Sequence, residues 1–254
     1  LAGMACNLEV DSVLVDPKGT LSALQEEVSR DYNKREYVAL RVENEIAEAQ
    51  KNLQGMGVAG NALEFVFFLG NFIMNCTAMS TVAHLQPPTH RRGLLNLKPF
   101  MLNDDQEDLY GEYLKMFGSY TIDEPSARVF IDQAANVFDK ALEIKKSPVP
   151  YEWKLDPCIR PYLVEGSLEM IEEGGHRESI FWIALFFMIS NSVIQQDGSE
   201  EEKVQYTNQI RAFVSALGLS SAEKMADRVK DCGVFLETLT AYIQQVIRDS
   251  EKLR

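Results

Sequence analysis

The sequence has few of the residue types that usually build reactive sites. Its 254 residues include 3 histidines and 4 cysteines. The cysteines, Cys6, Cys76, Cys158 and Cys232, stand apart, with no C-x-x-C pair and no histidine at ligand spacing. This pattern predicts neither a zinc site nor a disulfide framework, and it favours reduced thiols in a cytoplasmic protein.

Basic residues are also scarce. The chain carries 25 Lys and Arg against 38 Asp and Glu, a formal net charge of −13. Binding to a nucleic-acid backbone requires a basic surface, so we expect no nucleic acid as partner. The same acidity would attract a cationic small molecule, although excess carboxylates that merely keep a protein soluble are the commoner explanation.

Established nucleotide and catalytic motifs are missing as well. The sequence has no G-x-x-x-x-G-K-[ST], no dinucleotide fingerprint, no G-x-S-x-G and no H-E-x-x-H. No charged region precedes an apolar one at the start, so no signal peptide is predicted. The chain begins with Leu1 rather than Met, which suggests that it starts inside a longer protein or after a processed segment.

Two strongly apolar segments are present. Residues 61–83 approach the roughly 20 residues that a membrane span needs. Glu64, Asn71 and Asn75 lie inside this segment and are expensive in hydrocarbon, so we expect a buried helix and no membrane partner. The second segment, 178–195, follows Gly174-Gly175, a pattern typical of one helix ending and a buried one beginning. We expect the chain to pack around it, and His84 to close the first apolar helix.

Local punctuation predicts a mainly α-helical fold with a short N-terminal β-strand remnant at residues 7–16. Ser22-x-x-Gln25 is a capping-box pattern, and Asp123-Glu124-Pro125 and the turn at 197–199 are further helix starts. The proline-rich connection 146–161 indicates two parts: a strand plus helical subdomain at 1–146 and a helical bundle around helix 178–195 at 147–254. Whether the chain forms a homo-oligomer is left open.

The candidate site residues fall into three groups. On the predicted strand, Glu9 and Asp11 share a face and would either hold a divalent metal or protect an exposed edge strand. Residues 86–93 form the one basic cluster, a loop or a helix start with Thr89 as N-cap. Its members would either bind phosphate or carboxylate or neutralise acidic neighbours; they are His90, Arg91 and Arg92.

The third group precedes the second apolar segment. Glu165, His176 and Arg177 form either a capping and salt-bridge cluster or the wall of a ligand cleft. The three groups together do not assemble a complete catalytic constellation.

The order of segments resembles a known family. A strand ending in Val-Leu-Val-Asp-Pro-Lys-Gly-Thr-Leu (13–21), a helix with Arg-Glu-Tyr-Val-Ala-Leu-Arg (35–41), an apolar helix and Pro-Pro-Thr-His-Arg-Arg-Gly-Leu-Leu-Asn-Leu (87–97) precede a helical bundle. This succession resembles the region that follows the nucleotide-binding lobe in bacterial nucleotidyltransferases of the polymerase-beta type.

The resemblance implies a helical substrate-binding portion of a nucleotidyltransferase-like protein, acting on a small, cationic molecule. It implies Mg²⁺ with a nucleoside triphosphate, Glu9 or Asp11 as a metal-binding carboxylate, and Arg41, Arg91 and Arg92 near phosphate. The family's Gly-Ser and Asp-x-Asp signature is absent from this chain, so catalysis and these cofactors are implied only if a catalytic lobe exists.

A narrower resemblance concerns residues 183–246. The apolar helix, Asp-Gly-Ser-Glu-Glu-Glu (197–202) and Leu-Gly-Leu-Ser (217–220) are similar to tellurite-resistance TerB-like helical domains. This implies a non-enzymatic helical interaction or stress-response module. The transferase hypothesis requires a cleft where Glu9 or Asp11 approaches Arg41 or the 87–92 loop, whereas the interaction module requires an exposed apolar patch.

Overall fold

The computed structural model describes residues 13–254, and that range contains ten α-helices, two short 3-10 turns and no strand. The mainly α-helical prediction is therefore confirmed, whereas most of the predicted strand, with Glu9 and Asp11, lies outside the described residues. The 3-10 turns are Glu152–Lys154 and Pro157–Ile159. The helices are α1 (Thr20–Asp31), α2 (Arg35–Val58), α3 (Ala62–Ala83), α4 (Gly93–Asn103), α5 (Glu107–Phe117), α6 (Glu124–Ile144), α7 (Arg160–Glu172), α8 (His176–Asp197), α9 (Glu200–Ala216) and α10 (Ala222–Asp249).

Side-chain caps define several helix starts. The Asp123 carboxylate accepts a hydrogen bond from the backbone N–H of Ser126, with proline in the first turn of α6. Ser199 and Glu202 form a complete capping box at α9. Such caps satisfy backbone donors that the first helical turn leaves without partners. Both predicted starts are confirmed.

The predicted start of α1 is wrong by three residues, since the N-cap position is Gly19 and not Ser22. Ser22 lies inside the helix instead of capping it, because the Asp16 carboxylate reaches the first turn from outside. Asp16 accepts hydrogen bonds from the backbone N–H of Thr20 (3.1 Å) and from the N–H (2.7 Å) and hydroxyl (2.9 Å) of Ser22. The backbone bond from Ser22 contributes most to lowering the pKa of Asp16.

Of the two alternatives for the segment after the two prolines, the loop is confirmed and the helix start at Thr89 is wrong. Thr89 is not an N-cap, because α4 begins four residues later, with Arg92 at the N-cap position and without a side-chain cap. The Thr89 hydroxyl instead accepts a hydrogen bond from the Asn96 side chain at 3.4 Å. The basic cluster thus lies in a loop that leads into α4.

The core has two central helices, α3 and α8. Helix α3 packs along α2 and also contacts α4, α5, α8, α9 and α10, while α8 packs along α6 and contacts α3, α5, α7 and α9. Fully buried aromatic side chains, such as Phe72 on α3 and Phe186 on α8, pack in the core around these two helices. The chain is therefore arranged around both apolar segments rather than around α8 alone.

Segments on both sides of residue 146 share this core. Phe138 of α6 packs edge-on against Phe186 of α8, with ring centroids 5.7 Å apart. Phe72 of α3 similarly meets Phe235 of α10 at 6.4 Å. The division into 1–146 and 147–254 stays a prediction about folding units.

By length and composition, two helices in the described part of the chain could cross a membrane. They are α3 and α8, with mean hydropathies of 1.5 and 1.4 over their most apolar windows. Within those windows 67% and 72% of the residues are buried inside the protein. Helices at the centre of a protein core have the same properties, so composition alone does not separate the two cases.

Candidate functional site

A partly open cavity of about 230 Å³ lies between the two central helices. Its volume is just below the range of about 300 to 1,000 Å³ that small-molecule sites usually have, which suits a ligand with a single ring. We call it the aromatic pocket. Helices α3 and α8, the loop before α4 and the turn after α6 contribute its lining: Phe67, Gly70, Asn71, Met74, His90, Tyr151, Trp153, Lys154, Phe181, Trp182, Ala184, Leu185 and Met188.

Small residues keep this space open. Gly70 of α3 faces Phe181 of α8, and a Cβ added to it would lie 3.9 Å from a carbon of the Phe181 ring. Ala184, which is buried on α8, likewise extends only a methyl group into the lining. The two helices therefore cross here without their side chains filling the gap, and a longer side chain at either position would occupy the cavity.

The outer wall is a short aromatic turn. Trp153 is 68% exposed, and Tyr151 adopts φ +60°, a conformation that is uncommon for a bulky residue. The Tyr151 ring lies 6.1 Å from that of Phe67, across the opening. An ion pair of 3.1 Å between Lys145 and Glu152 ties the turn to the end of α6.

The charge in the pocket comes from Lys154. Its Nζ lies 4.3 Å from the ring centroid of Trp153 and 5.4 Å from that of Trp182. Burial lowers the pKa of this ammonium group, and no charged neighbour among the described residues contributes to the change. Burial and then the nearby Lys154 charge lower the pKa of His90. No Asp or Glu lines the pocket.

Arg91 and Arg92 contact α7 and its C-cap residue Glu173. Arg92 forms two hydrogen bonds with the carboxylate of Glu173, one of them 3.2 Å long. The Arg91 guanidinium lies 4.2 Å from the ring centroid of Tyr162 and donates to the Tyr162 carbonyl at 3.3 Å. Its Nη2 is 4.0 Å from a carboxylate oxygen of Glu169. In this structure both arginines hold the loop on α7.

The other predicted site residues are dispersed. Arg41 stacks on Tyr32 at 4.4 Å and donates to its carbonyl at 2.6 Å. Arg177 lies 5.1 Å from the Tyr120 ring, and Glu165 is exposed on α7. His176 is the first residue of α8. Hydrogen bonds from Ser126 lower the pKa of the Asp123 carboxyl, and the charge of His176 contributes to the same shift.

Among the predicted site residues of the described range, His90 alone lines the aromatic pocket; Arg92 borders a wider cavity of about 750 Å³ beside Glu173. Between residues 13 and 254, no cluster of three or more His, Cys, Asp or Glu side chains could hold a metal ion. Glu9 and Asp11 lie outside that range, so their approach to Arg41 or to the 87–92 loop stays a prediction.

A second polar cluster lies in an open cavity of about 590 Å³ beside the C-terminal residues. His84 closes α3 as expected, with Nδ1 2.7 Å from the Ser80 carbonyl and Nε2 3.0 Å from Asp104. Tyr242 donates to the same Asp104 oxygen at 2.6 Å. Burial raises the pKa of Asp104, but these hydrogen bonds outweigh it and hold the pKa low. The cluster joins α3, α4 and α10.

Sequence reasoning missed the aromatic pocket. It treated residues 146–161 as a connection and the aromatic residues of α8 as core. The one signal in the sequence was Trp153, a large apolar side chain within a proline-rich connection.

Comparisons of the chain with protein-family models, with curated proteins and with solved structures found no match. The function is accordingly argued from the geometry of the pocket.

Proposed function

We propose that the protein binds a small, largely apolar molecule in the aromatic pocket, and that the helical bundle holds this site open. The observation that carries the proposal is a partly open cavity between two core helices with five aromatic side chains in its lining: Phe67, Tyr151, Trp153, Phe181 and Trp182. Small-molecule sites typically combine such apolar walls with a few polar groups, here supplied by His90 and Lys154.

The affinity would come mainly from removing apolar surface from water. Each buried CH₂ group contributes about 0.8 kcal/mol, which must exceed the loss of ligand freedom. The rings add offset and edge-on stacking with an aromatic ligand. Because α3 and α8 are anchored in the core, most of the wall is rigid before binding, which limits the entropy cost.

The proposal accords with a TerB-like module, which would use such a pocket without catalysis. It does not suit the cationic substrate that the nucleotidyltransferase resemblance implies, because the lining contains Lys154 and neither Asp nor Glu. Nucleotide transfer with Mg²⁺ also requires Glu9 or Asp11 and a catalytic lobe, and Arg91 and Arg92 are engaged with α7. Binding alone is therefore the function we propose. The free thiols of Cys76, Cys158 and Cys232 accord with a reducing cytoplasm.

Tryptophan fluorescence tests the proposal. The chain has 2 tryptophans, and both line the pocket. Titration with 3-phenylpropanol is expected to give a saturable change in tryptophan emission. Gly70→Met, which extends a side chain into the cavity, is expected to abolish that change. The control is Gly57→Met in α2, where a new Cβ meets no atom within 4 Å.

Circular dichroism shows whether both variants keep their helices. Absence of a saturable signal with the wild type, or equal binding by Gly70→Met, would contradict the proposal. A thermal-shift series with Mg²⁺, nucleoside triphosphates and aminoglycosides addresses the transferase hypothesis separately. Stabilisation by a magnesium nucleotide would support that hypothesis, and no shift with any nucleotide would remove it.

A further inference from the structure

The charge of the aromatic pocket is opposite to that of the whole protein. The chain has a net charge of −13, yet the lining contains Lys154 and His90 and neither Asp nor Glu. The nearby carboxylate of Glu152 is paired with Lys145 at 3.1 Å. The pocket is therefore a local site without carboxylates in a protein whose net charge is negative.

The Lys154 ammonium lacks an anionic partner among the described residues. It lies against the faces of Trp153 and Trp182, and these contacts replace only part of its hydration. Its pKa is lowered by burial alone, which means that no carboxylate compensates the desolvation. An anion bound beside Nζ would remove this cost and form a charge-assisted hydrogen bond.

The remaining polar groups limit the type of anion. The side-chain N–H of Asn71 already donates to the Phe67 carbonyl at 2.9 Å. His90 lines the same pocket, and burial and then the Lys154 charge lower its pKa. One positive charge matches a monoanion, whereas a phosphate dianion would require more donors.

We infer that the ligand of the aromatic pocket is a small aryl or alkyl carboxylate whose head group pairs with Lys154 while its apolar part lies between α3 and α8. This inference rests on the proposed function and adds the chemical class of the ligand. The cavity of about 230 Å³ limits the apolar part to about one ring with a short chain.

Calorimetric titration with three compounds tests the inference: 3-phenylpropionate, 3-phenylpropionamide and 3-phenylpropylamine. They share ring and chain and differ only in the charge of the head group. The wild type is expected to bind the carboxylate about tenfold more tightly than the amide, the ratio that one charge-assisted bond supports. Lys154→Met is expected to reduce this ratio to about one without weakening the amide, whose retained binding also shows that the pocket is folded.

Lys154→Arg keeps the charge and is expected to retain a preference for the carboxylate. The matched control is Lys230→Met, which removes the same charge from an exposed lysine on α10 that pairs with Asp227; it is expected to behave as wild type. If the amide or amine binds as tightly as the carboxylate, or if the preference survives Lys154→Met, the inference is overturned and the proposed function stands. If none of the three compounds binds, both fail.

Discussion

The guanidinium of Arg91 occupies the space that a side chain at position 166 would need. A Cβ added to Gly166 would lie 1.2 Å from Arg91 Nη1. The glycine therefore allows the loop before α4 to approach α7 closely, and this contact uses the arginine that the sequence suggested for phosphate binding. The pair couples two segments that lie 75 residues apart along the chain, by the difference of their numbers.

This contact predicts a non-additive pair of substitutions. Gly166→Ala would displace Arg91 from Tyr162 and cost about 1 to 3 kcal/mol of the free energy of unfolding. In the Arg91→Ala background the space is vacant, so the same substitution is expected to be neutral or to stabilise α7 by up to about 1 kcal/mol. Urea denaturation of the four proteins measures the coupling. Additive costs would show that the two residues do not compete for the same space.

Tyr110 and Glu178 form a buried hydrogen bond that one substitution removes. The Tyr110 hydroxyl donates to the Glu178 carboxylate, whose residue is 3% exposed. Burial, followed by the charge of Glu178, raises the pKa of Tyr110, which keeps the hydroxyl protonated as a donor. Tyr110→Phe is therefore expected to lower the free energy of unfolding by about 1 to 3 kcal/mol. Tyr120→Phe, at a ring that is 41% exposed, is the control, and an equal loss in both would refute the prediction.

Glu202 predicts part of the acid sensitivity. Lys140, with Nζ 2.6 Å from the carboxylate, and the Ser199 backbone lower the pKa of Glu202 from 4.5 to about 2. Because the pKa of Glu202 is lower in the folded state, the ionised carboxylate stabilises the fold above pH 4.5. This contribution is lost as the pH falls from 4.5 towards 2. Glu202→Gln should flatten the dependence of stability on pH in that window. The control is Glu201→Gln, and identical slopes for both variants would contradict this assignment.

Two glycines predict opposite effects of alanine. Gly118 ends α5 with φ +95°, and a Cβ there would lie 2.2 Å from the Leu217 carbonyl oxygen, a backbone atom that cannot rotate away. Gly118→Ala is expected to cost more than about 2 kcal/mol through backbone strain and this clash. Gly57 lies in α2 with open space around it. Gly57→Ala should stabilise the protein by about 0.5 to 1 kcal/mol. Thermal unfolding of both variants tests the contrast, and a loss of similar size in both would refute it.

The fold could be predicted where the signals were local. The starts of α6 and α9 follow from Asp123 and Ser199, because a cap and its acceptors lie within one helical turn. The start of α4 was left open between a loop and a helix start at Thr89, and the helix begins only at Gly93, without a side-chain cap that the sequence could reveal. The start of α1 was wrong because the Asp16 carboxylate bonds to two residues of the first turn from outside the helix.

The site could not be predicted in the same way. The sequence shows that Arg91 and Arg92 are charged, but their partners lie on α7 and at its C-cap, 71 and 81 residues later, and are determined by tertiary packing. The aromatic pocket depends on a gap between α3 and α8 that exists because Gly70 has no side chain opposite Phe181. A gap of this kind arises from the distance between helices, which the periodicity of apolar residues does not encode.

The strained turn at Tyr151 has a kinetic consequence. A bulky residue at φ +60° stores about 1 to 2 kcal/mol, and this strain is released when the turn opens. An ion pair and a few ring contacts hold its outer part, whereas Val149 and Leu155 on either side are buried in the core. The outer part is therefore expected to open long before α3 or α8 unfolds. The residence time of a bound molecule would then depend on the opening rate of this turn. Substitutions in the helices would change the affinity, and substitutions in the turn would change the residence time.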